Sequence, residues 1–182
     1  MILPVVARAK RVVFFGLGFA ILAWPDGACA KDMSEVLVHA FDGDDGAWPY
    51  AGLIADKTGN LYGTTSEGGA HGKGTVFKLA TNGTEKALYS FDSHQGDGIN
   101  SHAGLVRDDA GSLYGTTPYG GSSAGVCYLE GCGVVFEVTP KGNETVLYAF
   151  TAGGDGDSPR AGLIRDKDGN LYGTTRSQSR SS

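Results

Sequence analysis

One pentapeptide, LYGTT, stands three times in this chain, at Leu61–Thr65, Leu113–Thr117 and Leu171–Thr175. Each copy closes a longer phrase: AGLIADKTGNLYGTT from Ala51, AGLVRDDAGSLYGTT from Ala103 and AGLIRDKDGNLYGTT from Ala161. Self-similarity of this length marks a repeat architecture, in which one unit cannot bury its apolar surface alone and stacks on its neighbours. Tyr62 and Tyr114 are 52 residues apart, Tyr114 and Tyr172 58. The added length lies in Ser122–Gly131, and a loop that accepts an insertion runs over the surface.

The repeat reads as four short extended segments. In the first copy these are Gly52–Ile54, Leu61–Thr65, Gly74–Leu79 and Lys86–Phe91. Turns at Asp56–Asn60 and Thr81–Thr84 join two pairs of them, with the glycines that tight hairpins require. In Lys86–Phe91 strict alternation puts Ala87, Tyr89 and Phe91 on one face and Leu88 on the other. The second copy follows the same order with Gly104–Val106, Leu113–Thr117, Gly133–Val138 and Thr145–Phe150. No stretch shows the spacing of an amphipathic helix. Four antiparallel strands every 50 or so residues match propeller blades of the kelch length. The expected fold is therefore all-β, with antiparallel four-stranded units stacked as a partial β-propeller. Gly63, Gly115 and Gly173 are expected to let strands approach near a crowded axis.

The consensus GLxxDxxGNLYGTTxxGGxxxxGTVFKL, nearly whole in Gly52–Leu79 and partial in Gly104–Val138 and Gly162–Thr175, resembles the GloVer tandem repeat. That repeat occurs in exported bacterial proteins with various C-terminal surface anchors, described as choice-of-anchor or autotransporter-associated repeat proteins. The resemblance implies a secreted or cell-surface β-repeat protein of unassigned activity and brings no catalytic residues. In domain terms the chain divides into a signal peptide (1–30), a β-repeat domain (31–175) and a disordered tail (176–182). Within the domain lie a last strand at 35–41, repeat one at 52–91, repeat two at 104–150 and a shortened repeat three at 162–175. Three blade-equivalents fall short of the 4–8 that usually close a ring. The chain is thus expected to be a piece of a longer array, or to self-associate through open sheet edges.

Met1–Ala30 has the three parts of an export signal: Arg8, Lys10 and Arg11, the apolar run Val12–Trp24, and Ala28-Cys29-Ala30 as a small-residue cleavage site. The apolar run is too short for a membrane span, which takes about 20 residues. Cleavage near Ala30 is expected to deliver the chain to the periplasm or the outside, with no transmembrane segment left in it. Loss of Arg8, Lys10, Arg11 and Asp26 takes the formal charge from −5 to −7. An acidic chain without basic clusters repels phosphate backbones, which excludes nucleic acid as a partner class. Cys127 and Cys132 are then the remaining cysteines, and in an oxidising compartment they are expected to close a local disulfide.

Candidate sites are few. The loops Asp42–Gly46, Asp92–Gly98 and Thr151–Asp157 combine carboxylates with glycines, a composition that suits Ca²⁺. None closes with the glutamate of an EF-hand, so solvated Asp-Gly turns are expected and no cofactor is assigned. Asp56, Asp108 and Asp166 recur before each turn and read as acceptors for turn amides. His39, His71, His94 and His102 do not follow the repeat, and no nucleophile motif accompanies them. No catalytic and no metal-binding residue is assigned. Trp48, Tyr50, Tyr119 and Tyr128 fall in or near loops, where aromatic faces can stack on sugars. The expected function is a non-catalytic scaffold or binding module whose partner is a polysaccharide or a surface protein. The competing class is a carbohydrate-active enzyme, by analogy with propeller hydrolases and lyases.

Overall fold

A computed structural model describes residues 11–12, 34–35, 37–92, 96–121, 127 and 131–176. Fourteen strands are assigned and, among the described residues, no helix. In chain order they are β1 (Arg11–Val12), β2 (Ser34–Glu35), β3 (Ile54–Ala55), β4 (Leu61–Thr65), β5 (Thr75–Leu79), β6 (Glu85–Ser90) and β7 (Gly98–Ile99). There follow β8 (Val106–Arg107), β9 (Leu113–Thr117), β10 (Tyr119–Gly120), β11 (Val134–Val138), β12 (Glu144–Ala149), β13 (Ile164–Arg165) and β14 (Leu171–Tyr172). No helix among these residues is long and apolar enough to cross a membrane.

The chain divides into two bodies, Met1–Phe41 and Asp42–Ser182. In the first, β1 and β2 pair in parallel, and the rings of His39 and Phe41 meet edge to face at 4.8 Å. The rest of the export signal expected over 1–30 lies outside the described residues. The last strand expected over 35–41 is a strand only at its start, since Leu37–Phe41 joins no ladder. In the repeats that strand pairs with a GTVFKL-type segment immediately before it, and no such segment stands between Met1 and Ser34.

The second body holds the repeats. Repeat one is the four-stranded antiparallel sheet β3-β4-β5-β6, and repeat two is β8-β9-β11-β12 with the same order. Repeat three contributes the pair β13-β14. In repeats one and two the strand limits fall within two residues of those expected, whereas the third LYGTT is strand only over Leu171–Tyr172. One feature breaks the expected alternation. Val76 pairs with Tyr89 but Phe77 with Ala87, so Leu88 is a bulge in β6; Leu147 is the same bulge in β12. A bulge adds one residue and bends its strand, and its presence in both repeats makes it part of the unit.

The last four residues of LYGTT have separate tasks. The tyrosine hydroxyl donates to the turn aspartate of its own repeat, Tyr62 to Asp56 at 3.0 Å, Tyr114 to Asp108 at 3.1 Å and Tyr172 to Asp166 at 2.9 Å. The glycine makes room for side chains. A Cβ on Gly63 would lie 2.6 Å from Leu53 Cδ2 and 2.8 Å from Phe77 Cζ, and Gly115 is enclosed in the same way by Leu105 and Phe136. This corrects the expectation that these glycines admit neighbouring backbone. That approach belongs to the glycine of AGL, where a Cβ on Gly162 would stand 3.3 Å from the Gly104 carbonyl oxygen. The first threonine joins repeats: Thr64 donates to the Ala103 carbonyl at 3.1 Å and Thr116 to that of Ala161 at 3.2 Å. The second binds its own loop, Thr65 to the Glu67 carbonyl and Thr117 to that of Tyr119.

The core runs between the sheets, with Val76, Phe91, Leu113, Val134, Phe136 and Val138 all but inaccessible. Phe91 at the end of repeat one meets Phe136 of repeat two edge to face, with ring centroids 5.1 Å apart, a geometry that adds to the area such rings bury. Cations cross both boundaries between repeats. Arg107 lies over the ring of Tyr62 and Arg165 over that of Tyr114, at 5.6 and 5.9 Å from the centroids. Of the tail expected at 176–182, Arg176 is described, and its amide donates to the Asp157 carbonyl at 2.8 Å. Ser177–Ser182 lies outside the described residues.

Candidate functional site

The acidic residues named from sequence serve turns. Asp108 Oδ1 accepts from the amides of Gly111 and Ser112 at 2.7 and 2.8 Å, and Oδ2 accepts from Tyr114. Asp56 and Asp166 repeat the arrangement, and hydrogen bonds from Asn60 and Asn170 lead in holding their carboxyls below the usual carboxylate range, Asp166 at about 2. In the inter-repeat loops, Asp97 Oδ2 accepts from Tyr89 Oη at 2.8 Å and the Asp92 amide at 2.9 Å, while Oδ1 accepts from the Gly98 amide. Asp155 takes the hydroxyl of Tyr148 at 2.8 Å and the Thr151 and Gly153 amides. These oxygens organise backbone.

Residues that recur in every repeat build the repeat, so the informative position is one that does not recur. The residue before AGL is Tyr50 in repeat one, His102 in repeat two and Arg160 in repeat three. Two residues earlier the chain turns through a left-handed conformation each time, at Trp48 (φ 56°), Asn100 (φ 57°) and Ser158 (φ 48°). Such a φ is costly for a bulky residue such as tryptophan, and strain of this kind gathers at functional positions. The turn is fastened on both sides. Ala47 and Glu67 exchange backbone hydrogen bonds at 2.7 and 3.1 Å, and Asn100 Nδ2 donates to the Ser66 carbonyl at 2.9 Å.

Stacking of the repeats sets these side chains in a row. Trp48 and Tyr50 are 50% and 63% exposed, and their rings lie nearly parallel, 6.4 Å apart at an interplanar angle of 13°. Tyr50 meets His102 at 5.1 Å. Burial, and then the charge of Arg160, push the half-buried imidazole of His102 down, so the neutral form dominates at neutral pH. Its Nδ1 is enclosed with no hydrogen-bond partner. Arg160 donates to Tyr119 Oη at 3.0 Å and lies over the Tyr119 ring at 5.8 Å. The result is an exposed aromatic surface that ends in a fixed guanidinium.

Of the residues named from sequence, Trp48, Tyr50 and Tyr119 belong to this row, and Tyr128 and His94 lie outside the described residues. His71 sits exposed in the glycine loop. His102 is the histidine that joins the row, and neither it nor Arg160 carries a motif that marks it for that place. The signal was present in the alignment of the three phrases, as a variable residue immediately before three invariant ones. A disulfide joins Cys127 to Cys132, with Cα atoms 5.2 Å apart.

A family model described as the Gloeobacter/Verrucomicrobia repeat matches residues 28–182. No curated protein matches the chain. The match spans the sheets of all three repeats and the tyrosine–aspartate bond of each. The chain belongs to the Gloeobacter/Verrucomicrobia repeat family.

Proposed function

We propose that this is an exported, non-catalytic binding module that holds a polysaccharide on the row Trp48, Tyr50, His102, Arg160 and Tyr119, carried at one end of a partial β-propeller. The observation that carries the reading is the near-parallel, solvent-exposed pair Trp48 and Tyr50. Flat aromatic faces of this kind take the C–H face of a pyranose ring, burying apolar surface while the sugar hydroxyls stay wet. Arg160 and His102 supply a donor and a polar ring beside them for orientation. Support for the propeller arrangement comes from the equivalent contacts made by successive repeats and from the close approach of Gly104 and Gly162. Support for export comes from the leader and from the disulfide, which suits an oxidising compartment.

The test is a glycan panel scored for retention and for turnover. Trp48→Ala and Tyr50→Ala are each expected to weaken retention about tenfold or more, since each removes an exposed face and leaves the core intact. Retention that survives both changes overturns the site. Turnover that is lost when loop carboxylates are replaced makes the protein an enzyme.

A further inference from the structure

Two places after LYGTT the backbone pairs antiparallel with the residue that precedes the left-handed turn: Glu67 with Ala47 in repeat one and Tyr119 with Ile99 in repeat two. Glu67 and Tyr119 are therefore equivalent positions, and each stands at the boundary with the following repeat. Arg160 of repeat three donates from Nη2 to Tyr119 Oη of repeat two at 3.0 Å and lies over its ring. His102 of repeat two is within electrostatic reach of Glu67 of repeat one. At both boundaries, then, the residue before AGL comes toward the residue after LYGTT of the preceding repeat.

The two boundaries differ in charge. A carboxylate at position 119, such as repeat one has at Glu67, would neutralise Arg160. Repeat two has a phenol there, which orients the guanidinium and leaves its charge intact. The hydroxyl occupies one N–H donor, and the ring fixes the plane in which the others lie. Arg160 is exposed, and His102, with a repeat on each side, is still only half-buried, so the row stays open where repeats adjoin. Glu67 lies at the aromatic end, since the amide of its neighbour Ser66 donates to the Trp48 carbonyl at 3.2 Å. An anionic group is thus disfavoured beside Trp48 and Tyr50 and favoured at Arg160.

We propose that the polysaccharide is one in which a neutral sugar adjoins a uronate, the neutral ring lying on Trp48 and Tyr50 and the uronate carboxylate taken by the Arg160 guanidinium. This names the substrate class of the row and rests on its reading as a glycan-binding surface. The planar fork of arginine matches a carboxylate through two parallel N–H···O bonds. The chain as a whole is acidic, with a formal net charge of −5. Its general field repels a densely charged polymer and leaves selection to this one contact. A glycan that alternates neutral and acidic sugars meets both conditions.

The test is calorimetric titration of three hexasaccharides into the full chain. One is a hyaluronan fragment, in which N-acetylglucosamine alternates with glucuronate. The second is the same fragment with its carboxyls converted to methyl esters, and the third is a keratan sulfate fragment, which carries sulfate and no uronate. Hyaluronan is expected to bind about tenfold tighter than its ester, the scale of a charge-assisted pair. Arg160→Gln is expected to abolish that difference, and Arg160→Lys, which keeps the charge without the fork, to retain only part of it. Tyr119→Phe is expected to shrink it by freeing the guanidinium, while Trp48→Ala weakens acid and ester alike; thermal melts check that each variant is folded. Equal binding of acid and ester, with both weakened by Trp48→Ala, overturns the proposal and leaves the glycan reading standing. Tighter binding of the sulfated fragment than of hyaluronan overturns the carboxylate as the group recognised. Failure of all three to bind at millimolar concentration overturns the proposal too, and failure of the neutral glycans besides takes the glycan reading with it.

Discussion

The hydroxyl of Tyr114 holds Asp108, Asp108 holds two amides of the next turn, and the ring of Tyr114 carries the guanidinium of Arg165. One side chain thus ties a turn to its strand and a repeat to its successor. The two contributions separate by substitution. Tyr114→Phe keeps the ring and loses the hydroxyl, at a cost of about 1 kcal/mol; Asp108→Ala strands the Gly111 and Ser112 amides as well and costs about 1–3 kcal/mol. Urea denaturation of the two variants checks the order, and equal losses would show that the amides are satisfied by solvent. The aspartate was legible from sequence because an Asx turn is a local motif. The tyrosine's part was not, since nothing in a one-dimensional pattern says that a hydroxyl six residues along folds back across the hairpin.

At the scale of the element, Glu144 shows what stacking costs. Burial, then Asp97 and Asp92, push its carboxyl up to about 7, and its Oε1 is enclosed with no hydrogen-bond partner. The unfolded chain has the ordinary value near 4.5, so between about 4.5 and 7 the folded form binds the extra proton, and stability falls as the pH rises through that window. Asp97, raised chiefly by burial, adds in the same sense. With Glu144 half in solvent, its share is about 1–2 kcal/mol after allowance for screening. Glu144→Gln is therefore expected to be more stable than the parent above pH 7 and to flatten the profile between pH 5 and 7, read as the urea midpoint against pH. The strands themselves tolerate less. Gly115→Ala would set a Cβ 2.6 Å from Phe136 Cζ and 2.9 Å from Leu105 Cδ2, and overpacking of this kind costs about 1–3 kcal/mol, visible as a lowered Tm. Strand order and turn positions were legible from the hairpin signals. The bulges at Leu88 and Leu147 were not, because KALYSF and TVLYAF alternate well enough to pass as regular strands, and only pairing with β5 and β11 exposes the extra residue.

Over the whole molecule, stability comes from repeats covering one another, and the Cys127–Cys132 bridge adds little to that. Its sequence separation is 5, and so short a closed loop restricts the unfolded chain by only about 2 kcal/mol. Reduction is expected to lower the Tm by a few degrees and to leave the β-type circular dichroism unchanged; collapse of that signal would mean that the inserted loop supports the sheets. The sequence alone determined the unit, its strand order, its turns and its family, because each depends on residues within a few positions of one another and recurs from copy to copy. Only the tertiary structure decided which residues meet across the repeats: Arg107 on Tyr62, Phe136 on Phe91, and Tyr50 beside His102. The physical reason is that lateral stacking brings together positions some fifty residues apart in sequence, and although residues such as Arg107 and Arg165 recur from copy to copy, the period does not say which side chain of the neighbouring repeat each one meets.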